Sequence, residues 1–284
     1  LNLKTMNAIF LSLPTCCRFL LILPVWILLS SGLSAQVSLT EEGWTLPTYP
    51  VAAPDKNPVF FRNEAYQGAS RHYYPLPLND QYIQERIEKE WKALILENEY
   101  IKLAVTPEIG GKLYYATDKT NGYHFIYKNN VVKPSNIGMT GAWVSGGIEW
   151  CVLHHHRAST FLPVDYAVSE NADGSKTIWV GENEPRHRMR WSIGITLHPG
   201  KSYFEVEGRI HNSSPLTHAF LYWANVAAHT NEDYQAIFPP SARVATYHSK
   251  TSFTRWPIST EVYTGNDFTS GVDISWWKNV VNSN

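Results

Sequence analysis

From residue 92 onward, apolar residues fall in short alternating or continuous runs broken by turn residues, the pattern of strands rather than of amphipathic helices. Residues 93–98 and 100–105 are two such runs, and the Glu97-Asn98-Glu99 link between them predicts a hairpin. Further strands are predicted over 112–116, 124–128, 165–170, 176–182, 188–197, 203–212 and 218–225. Asn171-Ala-Asp-Gly174 and His198-Pro-Gly200 supply turns between them. Many short strands at regular intervals mean an all-β antiparallel sandwich or barrel, not alternating βαβ units. Upstream, Ile83, Ile87, Trp91 and Leu94 recur at near-helical spacing, which predicts a helix over 81–94 whose last part can equally pass into a strand. Residues 37–80 carry Pro47, Pro50, Pro54, Pro58, Pro75 and Pro77 and read as an extended lead-in with short strands, wrapping over the main body. The division that follows is an accessory segment at 36–91 and a β-sandwich domain at 92–284.

Residues 1–35 stand apart. Arg18 precedes a nearly continuous apolar run from Phe19 to Leu29, and Ser30-Ser-Gly-Leu-Ser-Ala35 offers small residues for cleavage, the anatomy of a secretory signal peptide. Leu1 to Thr5 precede the first methionine, Met6. The run is shorter than the roughly 20 residues that span a bilayer, so the expectation is a secreted or periplasmic protein with no stable membrane insertion after cleavage. Cys16 and Cys17 lie in that leader, which leaves Cys151 alone in the mature chain and excludes an internal disulfide. Cys151 reads as a small buried hydrophobe more readily than as a nucleophile.

Composition narrows the function classes. A net charge of −1 with scattered Lys and Arg carries no nucleic-acid footprint. Aromatic residues make up 13% of the chain, with 11 Trp and 16 Tyr. A large core absorbs many of these rings, and the surplus suits a surface that stacks on the CH faces of sugars. A carbohydrate is therefore the expected ligand.

The densest chemistry is Gly141-Ala-Trp-Val-Ser-Gly-Gly-Ile-Glu-Trp150 followed by His154-His-His-Arg157, which places two indoles, a carboxylate, three imidazoles and a guanidinium within seventeen residues. Trp143 and Trp150 offer flat apolar faces, while Glu149, His154, His155, His156 and Arg157 can hold hydroxyls or move protons. The competing reading makes Gly146-Gly147 a tight turn and both tryptophans core residues. Adjacent strand residues point to opposite faces, so of the three histidines only His154 and His156 can share a metal centre. No third ligand at helical spacing accompanies them, so no metal or other cofactor is expected and a divalent ion is not supported. Thr106-Pro-Glu-Ile-Gly-Gly-Lys-Leu113 reads as a structural crossing, with Glu108 paired to a lysine or arginine. Arg186, Arg188 and Arg190 line up on one face of a strand, as a solvated edge or a clamp for an acidic sugar. Trp256-Pro257 and Trp276-Trp277 are further candidates for cleft walls.

Val105-Thr-Pro-Glu-Ile-Gly-Gly-Lys-Leu113, Asp118-Lys-Thr-Asn-Gly-Tyr123, Tyr127-Lys-Asn-Asn-Val-Val-Lys-Pro134 and the Gly141–Trp150 stretch together resemble the bacterial family known as domain of unknown function 5107. The resemblance runs from about Gly43 to the end of the chain. That family is similar in turn to galactose mutarotase, which implies a β-supersandwich of antiparallel strands with few short helices and a carbohydrate cleft. It also implies a longer protein, with tetratricopeptide repeats and further C-terminal domains.

Within Tyr222-Trp-Ala-Asn-Val-Ala-Ala-His-Thr-Asn-Glu232, the resemblance makes His229 the general acid, and Trp223 and Asn225 before it are candidate substrate contacts. Glu149 is the best candidate for the base. An aldose-epimerase-like enzyme suits a histidine and a single carboxylate. A glycoside hydrolase instead needs two carboxylates about 5–9.5 Å apart. The alternative is a non-catalytic carbohydrate-binding module of a larger tetratricopeptide protein, and the discriminating feature is whether a carboxylate reaches His229.

Overall fold

The computed structural model is built of strands joined by turns and loops. It describes residues 36–54, 56, 57, 60, 74–136, 141–153, 156–246, 252–259, 262, 263, 266–271, 273, 275, 276 and 278. The leader expected at 1–35 lies outside them. Five strands open the large sheet: β1 (Ser38–Thr48), β2 (Ile87–Glu97), β3 (Ile101–Thr106), β4 (Lys112–Asp118) and β5 (Tyr123–Ile126). A short pair, β6 (Ser135–Asn136) and β7 (Ala142–Trp143), leads into β8 (Ile148–Cys151). Next come β9 (Asp165–Glu170), β10 (Lys176–Glu184), β11 (Met189–Leu197), β12 (Phe204–Asn212) and β13 (Trp223–Val226). Two small hairpins follow: β14 (Val244–Thr246) with β15 (Phe253–Arg255), and β16 (Val262–Tyr263) with β17 (Asn266–Asp267).

The large sheet runs β1-β2-β3-β4-β8-β13 with β5 paired to β4, and the second sheet runs β12-β11-β10-β9. Every ladder between these strands is antiparallel, which gives the all-β sandwich that the pattern predicts. Among the described residues no helix is long and apolar enough to cross a membrane.

Leu94 and Leu96 of β2, Leu103 and Val105 of β3, and Leu113 of β4 meet Ile178, Val180, Trp191, Ile193 and Ile195 of the second sheet in one buried cluster. Each such side chain withdrawn from water contributes about 1.5–3 kcal/mol before chain entropy is charged against it. The alternate residues Trp91, Ala93, Ile95, Ala104 and Tyr114 build a second cluster on the other face of the large sheet. That sheet is therefore apolar on both faces, which explains its nearly continuous hydrophobic runs.

Residues 81–94 do not form the expected helix. Ile83 and Ile87 are 40% and 47% exposed, and from Ile87 the chain is a strand paired over eleven residues with β1. The near-helical spacing of Ile83, Ile87, Trp91 and Leu94 is overridden by this ladder, in which Trp91 and Leu94 point to opposite faces. Residues 38–48 of the lead-in supply the edge strand β1 of the sheet. Pro47 is accommodated because it stands on that edge.

Two glycines set the approach of the segments around β4. Gly147 has φ +64°, and a Cβ there would lie 2.2 Å from the Leu113 carbonyl oxygen. Gly110, also at φ +64°, would bring a Cβ to 2.3 Å from the Thr160 carbonyl. Only a residue without a side chain permits these contacts.

Candidate functional site

Strand β8 sends Ile148 and Trp150 into the core between the sheets, and its two-residue period therefore turns Glu149 and Cys151 to the other face. The register with β13 sets Asn225 opposite Glu149 and Trp223 opposite Cys151. On the far side of β8, Leu113 pairs with Ile148, so Lys112, the first residue of β4, comes beside the same face. Lys112, Glu149, Asn225 and Trp143 of β7 line a cleft of ≈ 290 Å³ together with Ser145, Gly146, His156, Val226 and Ala227.

Glu149 is 4% exposed. Its Oε1 accepts from Thr160 Oγ1 at 2.8 Å, and its Oε2 from Asn225 Nδ2 at 3.2 Å. His156 Nδ1 lies 3.1 Å from Oε1 and 3.3 Å from Oε2. Burial, the largest single effect, pushes this carboxyl up. The hydrogen bond and charge of His156, the Lys112 ammonium and the Thr160 hydroxyl together outweigh it and hold the group at about 2. Lys112 is buried too, and desolvation brings it down to about 8 against the opposing pull of Glu149 and Cys151. Its ammonium donates to the Gly146 carbonyl at 2.6 Å. Burial, reinforced by Glu149, raises the Cys151 thiol well above the ordinary range, so it stays protonated and unreactive as a nucleophile.

A carboxylate held near 2 is too weak a base to accept a proton efficiently at neutral pH. It serves instead to orient the His156 imidazole, which is 14% exposed at the cleft. With Nδ1 carrying the proton toward Glu149, the ring is fixed as in other carboxylate–imidazole pairs.

The structure brings together Trp143, Glu149, His156 and Asn225 around the cleft. Trp223 joins them through an edge contact with the His156 ring, centroids 6.0 Å apart. Trp150 and Arg157 do not line the cleft. Trp150 is buried in the core, where its Nε1 donates to the Gly111 carbonyl at 2.9 Å, because strand alternation places it on the inner face with Ile148. Arg157 is buried as well and ties β8 and β10 to the turn at Gly110. Its Nε donates to Trp150 O at 2.7 Å, Nη2 to Gly110 O at 2.7 Å and Nη1 to Ser159 Oγ at 2.8 Å and Glu182 Oε1 at 3.3 Å, while the guanidinium lies 4.3 Å from the Trp191 ring centroid.

His229 is exposed and packs on Tyr127 and Tyr123, with centroid distances of 4.8 and 5.7 Å. It is not among the residues lining the cleft, and among the described residues no carboxylate is bonded to it. His154 and His155 lie outside the described residues, as does Trp277. The arginine row also differs from expectation. Residues 185–188 form a turn before β11, in which Arg186 pairs with Glu184 and Arg188 has φ +55°. Glu108 accepts from the Lys92 backbone amide at 2.7 Å, and among the described residues no cationic side chain pairs with it.

Sequence reasoning missed Lys112 and Thr160. A lysine opening the apolar run Leu113-Tyr-Tyr-Ala116 was the available signal for the first. A threonine eleven residues from its carboxylate gives no signal.

The sequence signature of the family described as "Domain of unknown function (DUF5107)" matches residues 69–283. The chain belongs to this family. Among solved structures, this DUF5107 chain is similar to a TPR-domain containing protein from Parabacteroides distasonis ATCC 8503, with a TM-score of 0.64 and 22% identity over 74% of the chain. The likeness is one of fold. The DUF5107 chain spans 35% of the length of that protein.

Proposed function

We propose that this DUF5107 chain is an exported carbohydrate-active domain whose cleft holds one sugar unit against Trp143 and exchanges a proton with it through His156. The observation that supports this reading is the oriented imidazole: a buried carboxylate fixes His156 at the wall of a cleft that also presents an indole and the Asn225 amide. The cleft volume of ≈ 290 Å³ is near the lower end of small-molecule sites, a size for one ring rather than a long chain. In this reading the proton-transfer role expected for His229 passes to His156, and Glu149 is its positioning residue instead of the base. Ring opening and closing of an aldose, as in galactose mutarotase, is the reaction class best matched to one imidazole without a facing carboxylate.

A second reading has its own support. Glu149 is the single carboxylate lining the described cleft and its oxygens are already bonded, so the pair that glycoside hydrolysis uses is not assembled there. A carbohydrate-binding module of a longer tetratricopeptide protein needs no such pair. One glycan and free-sugar screen separates the readings, scoring binding, anomer exchange and released reducing ends on wild type, His156→Gln and Trp143→Ala. Turnover lost in His156→Gln with binding retained supports the enzyme. Binding without turnover in wild type supports the module. Absence of binding to every sugar tested refutes both.

A further inference from the structure

At the cleft, four separations among the side-chain donors of Glu149, Cys151, His156 and Asn225 match those of metal ligands. His156 Nδ1 is 3.3 Å from Glu149 Oε2 and 3.5 Å from Cys151 Sγ. The Asn225 side-chain amide is 3.2 Å from the same Oε2 and 3.4 Å from the same Sγ. One ligand atom from each of Glu149, Cys151 and His156 can be chosen so that all three lie within 4.8 Å of one another. A tetrahedral zinc with Zn–N and Zn–O of about 2.0–2.1 Å and Zn–S of about 2.3 Å spaces its ligands about 3.3–3.6 Å apart. These four of the six pairwise separations fall within about 0.2 Å of that span, the Glu149–Cys151 pair lies within 4.8 Å, and the orientation of the Asn225 amide is interchangeable, so Oδ1 can occupy the position now given to Nδ2.

We propose that Glu149, Cys151, His156 and Asn225 form a transition-metal site selective for zinc. The three strand residues are held by the β8–β13 register, so the donor set is largely pre-arranged. A sulfur, an imidazole nitrogen and a carboxylate favour a borderline cation such as zinc over calcium or magnesium, which take oxygen ligands. On binding, the Cys151 thiol loses its proton to solvent, the sulfur–metal bond forms, and the neutral imidazole changes tautomer, its one proton leaving Nδ1, which binds the metal, for Nε2. The carboxylate and thiolate then balance the dication. Lys112 carries like charge beside this cluster and opposes the ion, and its replacement is expected to tighten binding. The proposal does not rest on a sugar ligand.

The test is a cobalt(II) titration of the metal-stripped full chain carrying Cys16→Ser and Cys17→Ser, followed by absorption and by displacement with zinc. The expected result is one equivalent bound, with visible bands of tetrahedral intensity and a thiolate-to-cobalt charge-transfer band in the near ultraviolet. Cys151→Ser is expected to lose the charge-transfer band, His156→Gln to weaken binding roughly tenfold or more, and Lys112→Met to strengthen it. No cobalt spectrum, a charge-transfer band that survives Cys151→Ser, or equal competition by calcium overturns the site. Should Cys151→Ser not fold, X-ray absorption of the zinc-loaded parent replaces it. One sulfur neighbour at about 2.3 Å supports the site, and a shell of nitrogen and oxygen alone overturns it.

Discussion

Glu149→Gln converts the buried carboxylate into an isosteric amide and leaves the donors Thr160, His156 and Asn225 around a neutral acceptor. The carboxyl stands at about 2 in the folded chain against an ordinary 4.5. At about 1.4 kcal/mol per unit, that depression corresponds to roughly 3 kcal/mol of stability supplied by the ionised group at neutral pH. The sign follows from the depressed value. The contribution is complete above about pH 4.5 and drains as pH falls toward 2, where the folded-state carboxyl takes up its proton. By pH 3 about 2 of the roughly 3 kcal/mol should already be gone. Urea unfolding of wild type and Glu149→Gln at pH 7, 5, 4 and 3 measures this directly. The gap between the two proteins should be widest at pH 7 and 5 and narrow by about 2 kcal/mol at pH 3. A gap that stays constant over the series would show that the carboxylate's charge is not what the surrounding donors hold, and the account of the site would fail with it.

Arg157→Met removes the donors to the Trp150 carbonyl of β8 and the Gly110 turn carbonyl and leaves Glu182 without its guanidinium, so a loss of about 3–5 kcal/mol is expected in urea unfolding, with a loss below about 1 kcal/mol contradicting a tying role. Gly147→Ala places a methyl against the Leu113 carbonyl and is expected to abolish folding or cost well over about 2 kcal/mol, whereas Gly122→Ala, also at positive φ but with open space around it, should cost only about 1 kcal/mol. Equal effects of the two glycine substitutions on thermal unfolding would refute the close-approach argument.

Much of the sandwich was legible because strand alternation is a local property. Residues 165–170 and 176–184 form β9 and β10 almost where their apolar pattern and the Asn171–Gly174 turn placed them. Residues 81–97 show the limit of that legibility. Their helical spacing competes with a ladder to β1, and the partner that decides the outcome lies about forty to sixty residues earlier in the chain. The candidate site divides in the same way. The sequence by itself marked Trp143, Glu149 and His156 as chemistry-bearing, since indole, carboxylate and imidazole crowd one short stretch. Only the tertiary structure decided that Trp150 and Arg157 turn inward, that Lys112 and Thr160 flank Glu149, and that Asn225 faces it while His229 packs on tyrosines. The reason is geometric: β8 meets β4 and β13 across the sheet, and pairing register, not proximity in sequence, selects which side chains share a face.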